Sequence, residues 1–251
     1  MEQKAVLLLE TDFFARSGLC RYLVQQGFTV VEAAHANDAL ERAQRETFAA
    51  AIVNGVISVD GRQTYARGQE RAGLDLVRNL KDLNPDMGIV LLCARRHRGE
   101  ELLAILRMMR GVVYRIKDGI EPDDLMDALE MAIAGEVWID PRVDLTGVEN
   151  PGNHILELCR PDERRLIQRA LNRVQQLTPA ELVILSQIGH AGTTKRIARE
   201  LGVTPGTVES HTNHIYTKLF GADADGSLRR MVLLTKVALI RELVGADAQS
   251  A

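Results

Sequence analysis

Apolar residues along the first half of the chain gather in five short runs: Ala5 to Leu9, Phe28 to Val31, Ala49 to Val53, Gly88 to Leu92 and Val112 to Ile116. Runs of this length bounded by turn-forming residues predict strands. Between them, Arg16 to Gln26, Asn37 to Glu46, Leu74 to Leu83 and Glu100 to Met109 place apolar residues at helical spacing, and Glu121 to Ala134 closes the series as a fifth helix. Strands that are nearly all apolar fit burial on both faces, and the intervening helices force parallel pairing through crossovers. The expectation for residues 1–135 is therefore an α/β domain with a five-stranded, doubly wound parallel sheet. In such a sheet the functional crevice lies at the carboxyl ends of the strands, where strand order reverses. That rule directs attention to Glu10, Thr11, Asp12, Asn54, Cys93, Ala94 and Lys117.

The pattern breaks from Gly135 to Arg160, where Pro141, Gly147, Pro151 and Gly152 read as a domain boundary. Pro161-Asp162-Glu163 then opens a helix with Leu166, Ile167, Ala170, Leu171 and Val174 as its apolar stripe, so residues 136–176 are expected to be a linker with a helix. From Leu177 no strand pattern recurs, and residues 177–251 read as all-α. Thr178-Pro179-Ala180-Glu181 is a capping box, and its helix runs to about His190. Ala191-Gly192 ends it, Thr193 or Thr194 caps a short second helix, Gly202 supplies a tight turn, and Thr204-Pro205 opens a third. Two helices joined in this way follow the helix-turn-helix plan. In the third, Val208, Ile215 and Leu219 face the core, whereas Thr207, Glu209, Ser210, Asn213, Thr217 and Lys218 lie on other faces. A small polar surface of that kind can enter a DNA major groove; a merely solvated face would hold more Glu and Lys. His211, in mid-helix beside core positions, reads as a packing residue. Ser227 to Leu243 is a further amphipathic helix.

Composition narrows the field. A chain of 251 residues accommodates two domains, and its 46% hydrophobic and 26% charged residues are those of an ordinary folded protein. A net charge of -3 argues against a protein that coats nucleic acid indiscriminately, though not against local recognition. Cys20, Cys93 and Cys159 are far apart and suggest neither a disulfide framework nor a zinc site. No apolar run approaches the ~20 residues of a membrane span, and the chain enters a strand pattern directly, so a cytoplasmic protein is expected. No nucleophile-base pairing, phosphate-binding loop or metal-ligand spacing is visible, which points away from an enzyme and implies no cofactor and no metal.

Two resemblances give these features a common reading. Val6-Leu7-Leu8-Leu9-Glu10-Thr11-Asp12, Phe48 to Asn54 and Val113-Tyr114-Arg115-Ile116-Lys117-Asp118 resemble the landmarks of a response-regulator receiver domain, over residues 4 to about 135. Leu177-Thr178-Pro179-Ala180-Glu181, Ile197 to Val203, Thr207-Val208-Glu209-Ser210-His211, Ile215 and Lys218-Leu219 resemble the LuxR-type helix-turn-helix of NarL/FixJ-class regulators. That family implies double-stranded DNA as partner, with Glu209, Ser210 and Asn213 nearest the bases and Lys195, Thr204, Thr207, Lys218 and His214 on the backbone. In receiver domains an acidic pair after the first strand holds Mg2+, an Asp ending the third strand accepts a phosphoryl group, and a Thr or Ser ends the fourth. Here those positions hold Glu10 and Thr11, Asn54, and Cys93, while Tyr114 and Lys117 match. An amide is a poor nucleophile and carries no charge, so this pocket is expected to be degenerate and not phosphorylated. Lys117 then serves as an ion pair to Glu10 that holds the crevice shut. The stretch from Gly55 to Ala72 is longer than the resemblance implies, and reads as a functional loop or a tolerated surface insertion. The connector from Phe220 to Gly226 is likewise longer and more acidic, and the final helix is a dimer surface by family analogy or a plain core helix.

The reading reached from sequence is a DNA-binding transcription regulator of atypical response-regulator type. It is expected to be a homodimer, controlled by dimerisation, by a small ligand or by a protein partner at its receiver-like domain. The alternative is an interaction adaptor whose helical domain no longer binds DNA, suggested by Glu209 and by a C-terminal half that is not strongly basic.

Overall fold

A computed structural model describes residues 4–54, 69–93, 99–107, 109–145, 148–190, 194–221 and 227–249. The chain divides into two compact units, Met1–Ile139 and Asp140–Ala251. Ala94, residues 55–68 of the long loop, Ala191 to Thr193 and residues 222–226 of the acidic connector lie outside the described residues.

In the first unit β1 (Ala5–Leu9), β2 (Thr29–Ala33), β3 (Ala50–Asn54), β4 (Gly88–Cys93), β5 (Val112–Ile116) and β6 (Trp138–Ile139) form one sheet in the order β2-β1-β3-β4-β5-β6. Every pairing is parallel. The helices α1 (Phe13–Gln25), α2 (Ala36–Arg45), α3 (Gln69–Leu83), α4 (Gly99–Leu106) and α5 (Pro122–Ile133) alternate with the strands. Strands β3 to β5 are buried almost throughout, as their largely apolar runs require, whereas β2 is an edge strand with a partly exposed face.

The sheet has six strands where five were expected. The sixth pairs Trp138 with Val113 and Ile139 with Tyr114. A two-residue strand has no periodicity to read, and it is held by side chains from elsewhere: the Arg115 guanidinium lies 4.8 Å from the centre of the Trp138 ring and 2.9 Å from the Asp124 carboxylate on α5.

The second unit is helical: α6 (Pro151–Leu158), α7 (Pro161–Arg173), a 3-10 turn at Val174–Gln176, α8 (Pro179–Gly189), α9 (Thr194–Leu201), α10 (Pro205–Phe220) and α11 (Ser227–Gln249). Pro151-Gly152, which reads as linker punctuation, instead opens α6. The proline takes the first helical turn, and the glycine lets the backbone approach α11, since a Cβ there would sit 3.2 Å from Val244 and 3.5 Å from Ile240 side-chain carbons. Residues 232–240 of α11 are buried on every side of the helix, packed by α6, α7 and α8. Within that shell the Lys236 ammonium meets the Glu163 carboxylate of α7 at 2.6 Å. Among the described residues no helix is long and apolar enough to cross a membrane.

Candidate nucleic-acid interface and strand-end crevice

Strand order reverses between β1 and β3, so Glu10 and Asn54 flank the switch point of the sheet. Glu10 is 3% exposed, and both of its oxygens are occupied. The Asn54 amide nitrogen donates to Oε1 at 2.8 Å and to Oε2 at 2.9 Å, Lys117 Nζ donates to Oε2 at 2.8 Å, and the Asp12 backbone N-H donates to Oε1 at 3.1 Å. The pair expected between Lys117 and Glu10 is therefore present, with Asn54 as its third member. An amide suits this position physically: it donates to the buried carboxylate, where an aspartate would repel it.

The side chains of the other described crevice residues do not join that cluster. Asp12 is the N-cap of α1, accepting from the Ala15 N-H at 2.7 Å. Thr11 stands half-buried at the rim, its carbonyl and that of Glu10 accepting from Arg16 Nη1 at 3.4 and 2.7 Å. Cys93 is buried; burial pushes its thiol up to about 12 against the opposing effect of a hydrogen bond with Tyr114, itself fully buried. A thiol so held is an inert core group.

In the helical unit, Thr204 caps α10 by accepting from the Thr207 N-H at 3.2 Å, and the two hydroxyls bond each other at 2.9 Å. Gly202 takes φ +66 in the turn before it, a conformation that excludes most side chains. Val208, Thr212, Ile215, Tyr216 and Leu219 bury one side of α10. Glu209, Ser210, Asn213, His214 and Thr217 are exposed, as is Lys195 on α9, while Thr207 is half-buried. His211 is half-buried, and its Nδ1 is buried without a hydrogen-bond partner.

Three details differ from the expected face. Lys218 turns inward, donating to Glu181 Oε2 at 2.7 Å, so its charge is committed to the capping box of α8 rather than to the exposed side. Thr217 donates its hydroxyl proton to the Asn213 carbonyl at 2.9 Å and keeps only acceptor capacity. Arg230 of α11, not foreseen from the sequence, donates to Asn213 Oδ1 at 3.0 Å and lies 5.3 Å from the centre of the Tyr216 ring. The signal available was the Arg229-Arg230 pair near the start of the last helix. With its oxygen engaged by Arg230, the Asn213 amide leaves its nitrogen as the outward donor.

Glu181 joins this face to the domain's stability. Burial works against its charge, but hydrogen bonds from Lys218 and Thr178 outweigh burial and hold the carboxyl below its ordinary value of 4.5. A carboxyl lowered in the folded state contributes stability above its unfolded value and loses it as pH falls through the folded one. The helical unit should therefore weaken progressively below about pH 4.5. Lys218→Met, which removes the first of those donors, should lower stability at neutral pH and make that acid loss smaller. Thermal melts followed by far-UV circular dichroism from pH 3 to 7 check this, and an unchanged acid limb in Lys218→Met would refute it.

Residues 175–223 match the model of the luxR family of bacterial regulatory proteins. The nitrate/nitrite response regulator NarL of Escherichia coli K12 is 31% identical over 147 residues, 59% of this chain and 61% of NarL. This chain thus spans about three fifths of that relative's length. The transcriptional regulatory protein FixJ of Rhizobium meliloti is 24% identical over 223 residues, covering 87% of this chain and 90% of FixJ. Among solved structures, full-length FixJ from B. japonicum is 20% identical and covers 95% of this chain and 98% of its own, with a TM-score of 0.39, too loose a superposition to carry further argument. Residues 175–223 thus carry a luxR-family segment, and the chain, with its doubly wound parallel sheet ahead of that segment, is similar to the response regulators NarL and FixJ.

Proposed function

We propose that this protein is a sequence-specific, DNA-binding transcription regulator, working in the cytoplasm as a homodimer and controlled without aspartyl phosphorylation. The observation that carries the DNA-binding part is the exposed side of α10, where Glu209, Ser210, Asn213 and His214 stand over a fully buried apolar side. A rigid helix with that surface supplies base-edge donors and acceptors, and Lys195 on α9 supplies charge for phosphate. Glu209 repels phosphate, so its role in this reading is to accept from a cytosine amino group or to orient a neighbour.

Control without phosphorylation is supported by the crevice. The position that would take a phosphoryl group is an amide bonded to Glu10, and Lys117 is already paired with the same carboxylate. A signal acting there has to change dimerisation, or to arrive as a ligand or protein partner, rather than as a covalent phosphate. The adaptor reading draws on the inward Lys218 and the outward Glu209, which together thin the positive charge of the face.

Selection of genomic fragments by the unphosphorylated full-length protein at near-physiological salt tests the proposal. Enrichment of a two-fold symmetric motif is the expected result, and no enrichment even at low salt selects the adaptor. Once a site is known, Asn213→Ala should cost about 1–3 kcal/mol of specific affinity, while Lys195→Ala should weaken all sequences alike and reduce the salt slope. Equal losses on specific and random DNA from Asn213→Ala would remove it from base reading.

A further inference from the structure

Lys81 lies in the last turn of α3, 7% exposed, with its Nζ donating to the Pro85 carbonyl at 3.1 Å and the Met87 carbonyl at 2.6 Å. The chain has six lysines. Lys117, Lys218 and Lys236 each meet a carboxylate at 2.6 to 2.8 Å. Lys4 and Lys195 are exposed to water. Lys81 differs from both kinds, because its hydrogen-bond partners are neutral carbonyls.

The donor count matters. An ammonium has three N-H groups and finds two acceptors here; a neutral amine has two, which the carbonyls satisfy, and its lone pair then occupies the third direction. The Gly111 backbone packs close on one side of the nitrogen, since a Cβ on Gly111 would lie 3.5 Å from Nζ and 2.7 Å from the Ala132 carbonyl oxygen. A cavity of about 590 Å³ opens on the amine, with Arg78 and Arg110 and the carboxylates Asp82 and Asp86 in its walls. Burial lowers the amine to about 8, with Asp86 pulling the other way. Buried lysines become nucleophiles by this route.

We propose that Lys81 is an acyl-acceptor site, taking an acyl group from an activated donor on an anionic carrier, either an acyl phosphate or an acyl thioester. The Nζ lone pair attacks the acyl carbon and a C-N bond forms. The C-O bond to phosphate or the C-S bond to the thiol carrier breaks, its electron pair leaving on oxygen or sulfur, and the nitrogen loses a proton to water. No oxidant or reductant is needed. Arg78 and Arg110 supply guanidinium groups for the carrier's phosphate. The product amide keeps one N-H, so one of the Pro85 and Met87 carbonyls loses its partner, and the turn leading into β4 loosens.

The test uses full-length protein at pH 8, with acetyl phosphate and acetyl coenzyme A in parallel and N-acetoxysuccinimide as an uncharged donor. Peptide mass mapping follows all six lysines. Lys81 should be labelled at least about fivefold faster than Lys4 and Lys195 in native buffer by one anionic carrier or both, with the advantage gone in urea. Whichever carrier gives that advantage is the donor class. Arg110→Gln should slow Lys81 labelling by the anionic carrier several-fold while leaving the uncharged donor and the Lys4 rate unchanged. Labelling of Lys81 no faster than Lys4 by either carrier, including a preference seen with the uncharged donor alone, overturns the proposal.

Discussion

Lys236→Met should destabilise the helical unit by about 3–5 kcal/mol, because it leaves the Glu163 carboxylate buried without its counter-charge. The side chains of Lys236 and Glu163 are 6% and 3% exposed, and their contact at 2.6 Å ties α11 to the start of α7. Removing both charges in Glu163→Leu/Lys236→Met should recover most of the loss, since apolar groups of similar size replace a buried pair at little cost. Denaturant melts, with hydrogen exchange read on peptides from α7 and α11, measure the effect where it arises. A double variant as unstable as Lys236→Met would show that the lysine acts through packing rather than charge.

Asn54→Asp should change the crevice more than any other single substitution. The new carboxylate would stand where the amide now donates to Glu10 at 2.8 and 2.9 Å, so two hydrogen bonds are exchanged for a repulsion that Lys117 only partly offsets. A loss of about 2–4 kcal/mol is expected at neutral pH. The sign with pH follows from the pair. Sharing the site raises one carboxyl, so stability is retained in acid where that carboxyl is protonated and lost as pH rises through its raised value. A divalent cation should reverse the loss, because the two carboxylates supply the hard oxygen ligands the wild type lacks. Melting temperatures at pH 5 and pH 8, with and without millimolar Mg2+, decide it. An Asn54→Asp protein insensitive to both would mean that Glu10 is not the partner that sets this position.

Much of the fold could be read from sequence because burial on both faces leaves an unmistakable mark. The runs at β1, β3 and β4 are apolar without a break and that at β5 is interrupted only by Arg115, and the helical periods between them fix parallel pairing. The meeting of Glu10, Asn54 and Lys117 fits the shared carboxyl edge of the sheet, with Lys117 reaching Glu10 from beyond the end of β5, on the far side of β4. What escaped has a different origin. The strand β6 is held by the Arg115 guanidinium, and α6 begins at a Pro-Gly pair that local rules read as a break. In the helical unit, α10's own periodicity separates its buried side from its exposed one. It cannot tell that Glu181, 37 residues before Lys218, draws that lysine inward, nor that Arg230 reaches Asn213 from α11. Side-chain direction there is decided by partners distant in sequence.

The all-round burial of residues 232–240 in α11 bears on how the protein is made. A ribosome delivers α8, α9 and α10 first, yet the apolar flanks of α6, α7 and α8 have nothing to close on until α11 has cleared the exit tunnel. The nascent helical unit is then an open shell, unable to hold α10 firmly and in need of protection from aggregation. On the proposed reading of α10 as the DNA-contacting helix, competence for DNA should therefore appear abruptly, once residues 232–240 have left the ribosome.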